Sequence, residues 1–170
     1  EVQYVGNVLF ELNEARKKIE RSLFAEVEAE ILEKKIDIEK ENIIFAASNG
    51  WTPGVIGLVA SRLVSVYGKP VFLFHLDKKG VAKGSCRSIP GFNIFNALKK
   101  FEDLLKSFGG HSMAAGLSLS KDNLSVLKNK LEELVLTELT EFDLLQKIEL
   151  DAEVKLTDLT KKFLTDLDLL

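Results

Sequence analysis

Two short apolar runs limit what this chain can fold into more than any other feature: ENIIFAAS at 41–48 and PVFLFHLD at 70–77. Each is too short for a buried helix, and each is apolar enough to be covered on both sides, so each reads as a buried strand. Between them NGWTPG reads as a turn. Thr52-Pro53 supplies an N-cap and a first-turn proline for a helix running to about Val66. KKG at 78–80 closes a further turn into GVAKGSCRS (80–88), an antiparallel partner strand. Residues 93–107 show amphipathic helical spacing that stops at Gly109-Gly110. HSMAAGLSLS (111–120) reads as another strand, and about 122–139 as another helix. Alternation of this kind, with one hairpin, predicts an α/β fold: a mixed β-sheet flanked by helices.

The flanks have a different character. From 7 to 35, Leu12, Ile19, Leu23, Val27 and Ile31 recur at steps of seven or four, one apolar stripe on a single long helix. At roughly 1.5 Å per residue it would span about 40 Å, which suits a connector between domains. After Glu141, KIELDAEVKL (147–156) alternates like a strand and LTDLTKKFLTDLDLL (156–170) resembles an amphipathic helix, the expected opening of another domain. The chain has no initiator Met and opens inside the helical pattern, so a piece of a longer protein is expected. No run reaches the ~20 apolar residues of a membrane helix, and EVQYVGNVLF lacks a signal-peptide pattern, so no membrane partner is expected. The single cysteine, Cys86, allows no intrachain disulfide, which fits a cytoplasmic location.

A net charge of −3 argues weakly against nucleic acid, but the charge is unevenly divided. Residues 51–116 carry nine Lys/Arg against three acids, a local +6, while the remainder carries 14 against 23, or −9. A basic segment within an acidic chain is what a local anion-binding face needs, although lysine pairs such as Lys78–Lys79 and Lys99–Lys100 equally describe a solvated surface. Inside that segment lies FGGHSMAAG (108–116). Its glycines leave backbone N–H groups that a ligand can approach, and the His111 imidazole adds a donor. The same residues also describe a tight turn into a buried strand, with His111 hydrogen-bonded inside the fold. Trp51 reads as a core anchor or as a base-stacking platform, His75 as a satisfied core histidine, and Cys86 as packing.

Four segments fall in a fixed order: WTPGVIGLVASRL (51–63), KGSCRSIPGFNIFNAL (83–98), FGGHSMAAG (108–116) and IELDAEVKL (148–156). Together they resemble the bacterial RecJ family of single-strand-specific 5′→3′ exonucleases, within the DHH superfamily. The glycine–histidine motif marks only the superfamily, whereas RSIPGFNIFNAL (87–98) marks RecJ. The resemblance implies three parts: residues 1–40 a connector helix from a catalytic domain, 41–140 a DHH-associated substrate-binding domain, and 141–170 the start of an oligonucleotide-binding-fold domain. The family's Asp-His-His motif is absent from this chain. Catalytic residues and a manganese or magnesium site are therefore expected in a preceding domain, with no catalytic residue, metal or cofactor here. The implied partners are single-stranded DNA and that catalytic domain, in DNA repair and recombination.

The site residues the resemblance implies are Ser85 and Arg87 for a terminal phosphate and the adjacent backbone, and Gly109, Gly110 and His111 for N–H groups and an imidazole near the scissile region. Period-two spacing sets Lys83, Ser85 and Arg87 on one strand face, where a guanidinium fork and a hydroxyl can grip phosphate oxygens. A structural ion pair is the alternative use for Arg87. Two other functions stay open: a DHH-superfamily phosphodiesterase for short oligonucleotides or cyclic dinucleotides, and a non-catalytic nucleic-acid-binding module.

Overall fold

The computed structural model describes residues 2–33, 35–140, 142–145 and 150–168. A long helix opens it, α1 (Val2–Leu32), starting and ending a few residues earlier than the stripe predicts. Strand β1 (Ile44–Ser48), helix α2 (Pro53–Tyr67) and strand β2 (Val71–Leu76) follow, with β1 and β2 parallel. A parallel neighbour needs a crossover, and α2 is that crossover. Strand β3 (Val81–Arg87) turns back antiparallel to β2. Helix α3 (Ile94–Lys100), strands β4 (Leu105–Gly110) and β5 (Ala114–Ser120) and helix α4 (Leu124–Glu138) complete the sheet and its cover. The strand order is β1-β2-β3-β5-β4, a mixed five-stranded sheet as the sequence predicts.

Each face of the sheet has its own core. On one, Phe72, Phe74, Cys86, Leu117 and Leu119 meet Ile94 and Leu98 of α3 and Leu127, Leu131 and Val135 of α4. On the other, Ile44, Val71 and Leu73 meet Val55, Ile56, Val59 and Leu63 of α2. The second half of α1 packs there too, through Leu23, Phe24, Val27 and Ile31. Arg62 of α2 stacks its guanidinium 4.0 Å from the Phe24 ring centre, and Trp51 Nε1 donates to Glu26 at 2.9 Å. Trp51 is thus a buried anchor between α1 and the start of α2. The first half of α1 leaves Val2, Val5, Leu9, Leu12 and Ile19 exposed.

Two expectations need correction. The predicted helix over 93–107 ends at Lys100; a 3-10 turn over Glu102–Leu104 follows, and then β4. The cause is a bulge between Leu105 and Ser107. One extra residue in a strand converts period two into a step of three, so Leu105 and Phe108 both turn to the core with the spacing of a helix face. The predicted strand over 147–156 falls partly on residues 147–149, outside the described residues. Over 150–155 there is no strand, and a 3-10 turn at Leu156–Asp158 leads into α5 (Lys161–Leu167). Alternating residues need a partner strand to become a strand, and no neighbour pairs with 150–155.

Candidate functional site

Strand β3 divides its side chains between the two cores. Ala82 and Cys86 are buried on the α3–α4 side, and a Cβ on Gly84 would press into Phe74 at 2.5 Å on that side. Lys83, Ser85 and Arg87 therefore share the opposite side, the one α2 covers. Register extends each across the sheet. Arg87 stands between Val71 and Ala114, Ser85 between Leu73 and Gly116, and Lys83 between His75 and Ser118. On β4, Gly109 pairs with Gly116 and Ser107 with Ser118.

Past β3 this side carries only alanine, glycine and serine on β5: Ala114, Gly116, Ser118 and Ser120. Gly116, Gly109 and Ser107 are exposed. The Ser107 and Ser118 hydroxyls meet at 2.7 Å. With strands ~4.8 Å apart, the strip from Ser85 to Gly109 is about 10 Å wide, and its floor is backbone.

The glycines of FGGHSMAAG separate into two kinds. Gly110 has φ 145, and a Cβ there would come within 2.3 Å of the Ala114 carbonyl oxygen, so the hairpin itself demands glycine. Gly109 has nothing within 4 Å of where its Cβ would be, and at Gly116 only the Gly84 carbonyl comes near, at 3.8 Å. Internal packing asks for no glycine at either. His111 lies beyond Gly110 at the hairpin end. Its N–H donates to the Ala114 carbonyl at 2.8 Å, so the backbone of His111 is already engaged; its ring is exposed and makes no hydrogen bond among the described residues. The hairpin loop is fastened to β3 and α3, since Ser88 N–H donates to Met113 and Ile94 N–H to Ser112.

Arg87 makes no ion pair among the described residues. Its Nε donates to Ser61 Oγ at 3.0 Å, and its Nη1 to Ser85 Oγ at 3.2 Å and to the Cys86 carbonyl at 2.8 Å. The structural ion-pair reading of Arg87 finds no acid among the described residues. Three cations of the basic segment are used elsewhere: Arg62 on Phe24, Lys69 on the carbonyls of Ile38 and Glu41, and Lys100 on Glu138. His75 Nδ1 lies 2.7 Å from the Trp51 carbonyl, which only accepts, so Nδ1 carries the proton and the ring is structural. Cys86 is fully buried, and burial pushes its thiol far above the ordinary range, so it is no nucleophile.

Sequence reading missed Gly57 and Ser61 of α2, which touch Arg87, and Ser107, Gly116 and Ser118, which floor the strip. A signal existed for each group. Gly57 and Ser61 stand four apart on one helix face, and every second residue from Ala114 to Ser120 is small. A cation, hydroxyls and bare backbone are donors for an anion on an extended chain. Fold and site together define a mixed α/β module with an open strip of small residues beside Arg87 on one half of one sheet face.

Residues 40–137 match the DHHA1 domain, and the chain belongs to that family. It is 34% identical over 171 residues to the single-stranded-DNA-specific exonuclease RecJ of Bacillus subtilis (strain 168), covering 100% of this chain and 21% of that protein. It is 35% identical over 153 residues to RecJ of Escherichia coli (strain K12), covering 86% of this chain and 26% of that protein. The chain thus spans between a fifth and about a quarter of the length of these curated relatives. Among solved structures, RecJ from Thermus thermophilus in complex with Mg2+ superposes with a TM-score of 0.76 at 25% identity, covering 98% of this chain and 25% of that one. A RecJ exonuclease bound to manganese superposes at 0.65 and 30% identity, covering 84% and 36%. The resemblance carried by the four segments is borne out, and so is the fold class it implies.

Those neighbours hold divalent cations. In this chain, no three His, Cys, Asp or Glu side chains among the described residues come together as a metal site requires. The donors around Arg87 suit an anion and do not fit a divalent cation. No helix among the described residues is long and apolar enough to cross a membrane.

Proposed function

We propose that this chain is the substrate-holding part of a RecJ-like, single-stranded-DNA-specific 5′→3′ exonuclease acting in cytoplasmic DNA repair and recombination. One observation carries the reading: Arg87 and Ser85 stand together at the edge of a strip whose floor is exposed backbone. Phosphodiester cleavage needs an activated water on one side and a firmly positioned phosphate on the other. This chain supplies the second. Ser85 and Arg87 hold the terminal phosphate; Gly109 gives the next stretch of DNA backbone a close approach, Gly110 shapes the hairpin, and the free ring of His111 reaches toward the reacting region. The first requirement, with its manganese or magnesium, belongs to a preceding catalytic domain. In this division residues 1–40 connect to that domain, 41–140 hold substrate, and 141–170 lead into an oligonucleotide-binding fold.

Arg87→Ala in the full-length nuclease tests it. A charge-assisted contact to phosphate is worth about 1.5–3 kcal/mol, so kcat/KM on a 5′-phosphorylated single strand is expected to fall roughly ten- to hundredfold. Lys99→Ala, on an exposed helix face, should cost only a few-fold. Melting temperatures of both variants should stay near wild type. An Arg87→Ala enzyme that melts early yet keeps its activity in the cold defeats the assignment.

A further inference from the structure

We propose that α2 contributes two positioning residues, Gly57 and Ser61, which set Arg87 and Ser85 for a phosphate; this deepens the reading above and rests on it. Arg87 has five N–H bonds to place. Nε is taken by Ser61, and both Nη1 hydrogens are taken by Ser85 Oγ and the Cys86 carbonyl. The guanidinium is fixed at two of its three nitrogens, and among the described residues no acceptor takes a hydrogen of Nη2, which leaves it for a ligand. Ser85 Oγ accepts from Nη1, so its own proton is also free to donate. Both groups lie directly over the Gly57 backbone, where an added Cβ would stand only 2.9 Å from Ser85 Oγ and 3.1 Å from Arg87 Nη2. A side chain at 57 would push both donors out of place. Arg87 therefore meets its phosphate through Nη2 rather than through the whole fork that the sequence implies.

Ser61 completes the arrangement. Its hydroxyl donates to the Gly57 carbonyl one turn earlier at 3.1 Å, which commits the proton and leaves lone pairs facing Arg87 Nε. An acceptor so oriented holds the guanidinium in one plane. Ser61 is exposed, so its hydroxyl fills no core and its removal opens no cavity.

The whole 170-residue chain, titrated at low salt with a 3′-labelled oligothymidylate and read by fluorescence anisotropy, tests the role. Ser61→Ala should weaken binding of the 5′-phosphorylated probe roughly three- to tenfold at unchanged melting temperature. Ser61→Thr, which returns the hydroxyl on an exposed face, should restore it to within about twofold. Gly57→Ala should weaken it about tenfold or more, and both damaging variants should lose preference for the 5′-phosphate over a 5′-hydroxyl probe. If Arg87→Ala weakens binding while Ser61→Ala and Gly57→Ala bind like wild type, the positioning role is wrong. If Arg87→Ala changes nothing, or the wild-type chain does not bind, the phosphate-holding reading beneath it is wrong. Should Gly57→Ala misfold, the Ser61 pair decides alone.

Discussion

Over β1 and β2, the α2 side of the sheet carries Ile44, Val71 and Leu73, all fully buried. Over β5 and β4 the same side carries Gly116, Gly109 and Ser107, all exposed. The contrast is possible because the reverse side of those outer strands is fully packed, with Ala115, Leu117 and Leu119 buried against α3 and α4. A strand anchored on one face does not need the other for stability. Half of one sheet surface is thereby released from packing and left small and polar. Ser85 and Arg87 sit on the boundary, with Leu73 and Val71 on one side and Gly116 and Ala114 on the other.

The packed half gives the largest expected effect. Leu73→Ala should destabilise the chain by about 2–5 kcal/mol, because Leu73 is 0% exposed and its loss leaves a cavity under α2. Urea denaturation measures it, and a loss below about 0.5 kcal/mol would show that α2 does not close this half.

The comparison sharpens within one dipeptide. Gly110→Ala should cost on the order of 2 kcal/mol, since the positive φ and the Ala114 carbonyl both oppose a Cβ. Gly109→Ala, one residue away with open space above it, should leave stability equal or up to ~0.5 kcal/mol higher while weakening oligonucleotide binding. Thermal melts set beside binding curves separate the two. Equal losses of stability would mean that the strip is ordinary packing.

Cys86 should respond least, being buried on the α3–α4 side of the same boundary strand. Burial raises its folded-state pKa, so the unfolded chain ionises first. The stability it contributes is whole below about pH 8.5 and declines as pH rises beyond that value. At pH 8 a thiol reagent should label Cys86 in urea and leave the native chain untouched. Native labelling at the denatured rate would show that the packed side opens.

Much of this was legible in the residues. The runs at 41–48 and 70–77 declared buried strands because nothing else hides so many consecutive apolar side chains in so short a length. Alternation within 83–87 placed Lys83, Ser85 and Arg87 on one face, because a strand's period is fixed by its own backbone. Leu105 and Phe108 misled for the converse reason: a bulge makes strand spacing imitate a helix, and the bulge exists only because β5 lies alongside. The lead-in after Glu141 shows the same limit, since alternation over 150–155 forms no strand without a neighbour.

Local order, then, was the sequence's to determine: which segments become strands or helices, and which side chains of one strand look the same way. Tertiary structure alone decided what each face meets. It put Gly57 and Ser61 of α2 against Arg87, left Gly109 and Gly116 without a roof, and gave the +6 segment its division between structural cations and a free Nη2. Those outcomes depend on register and on contacts between residues 26 to 38 positions apart, and no periodicity within a single segment encodes them.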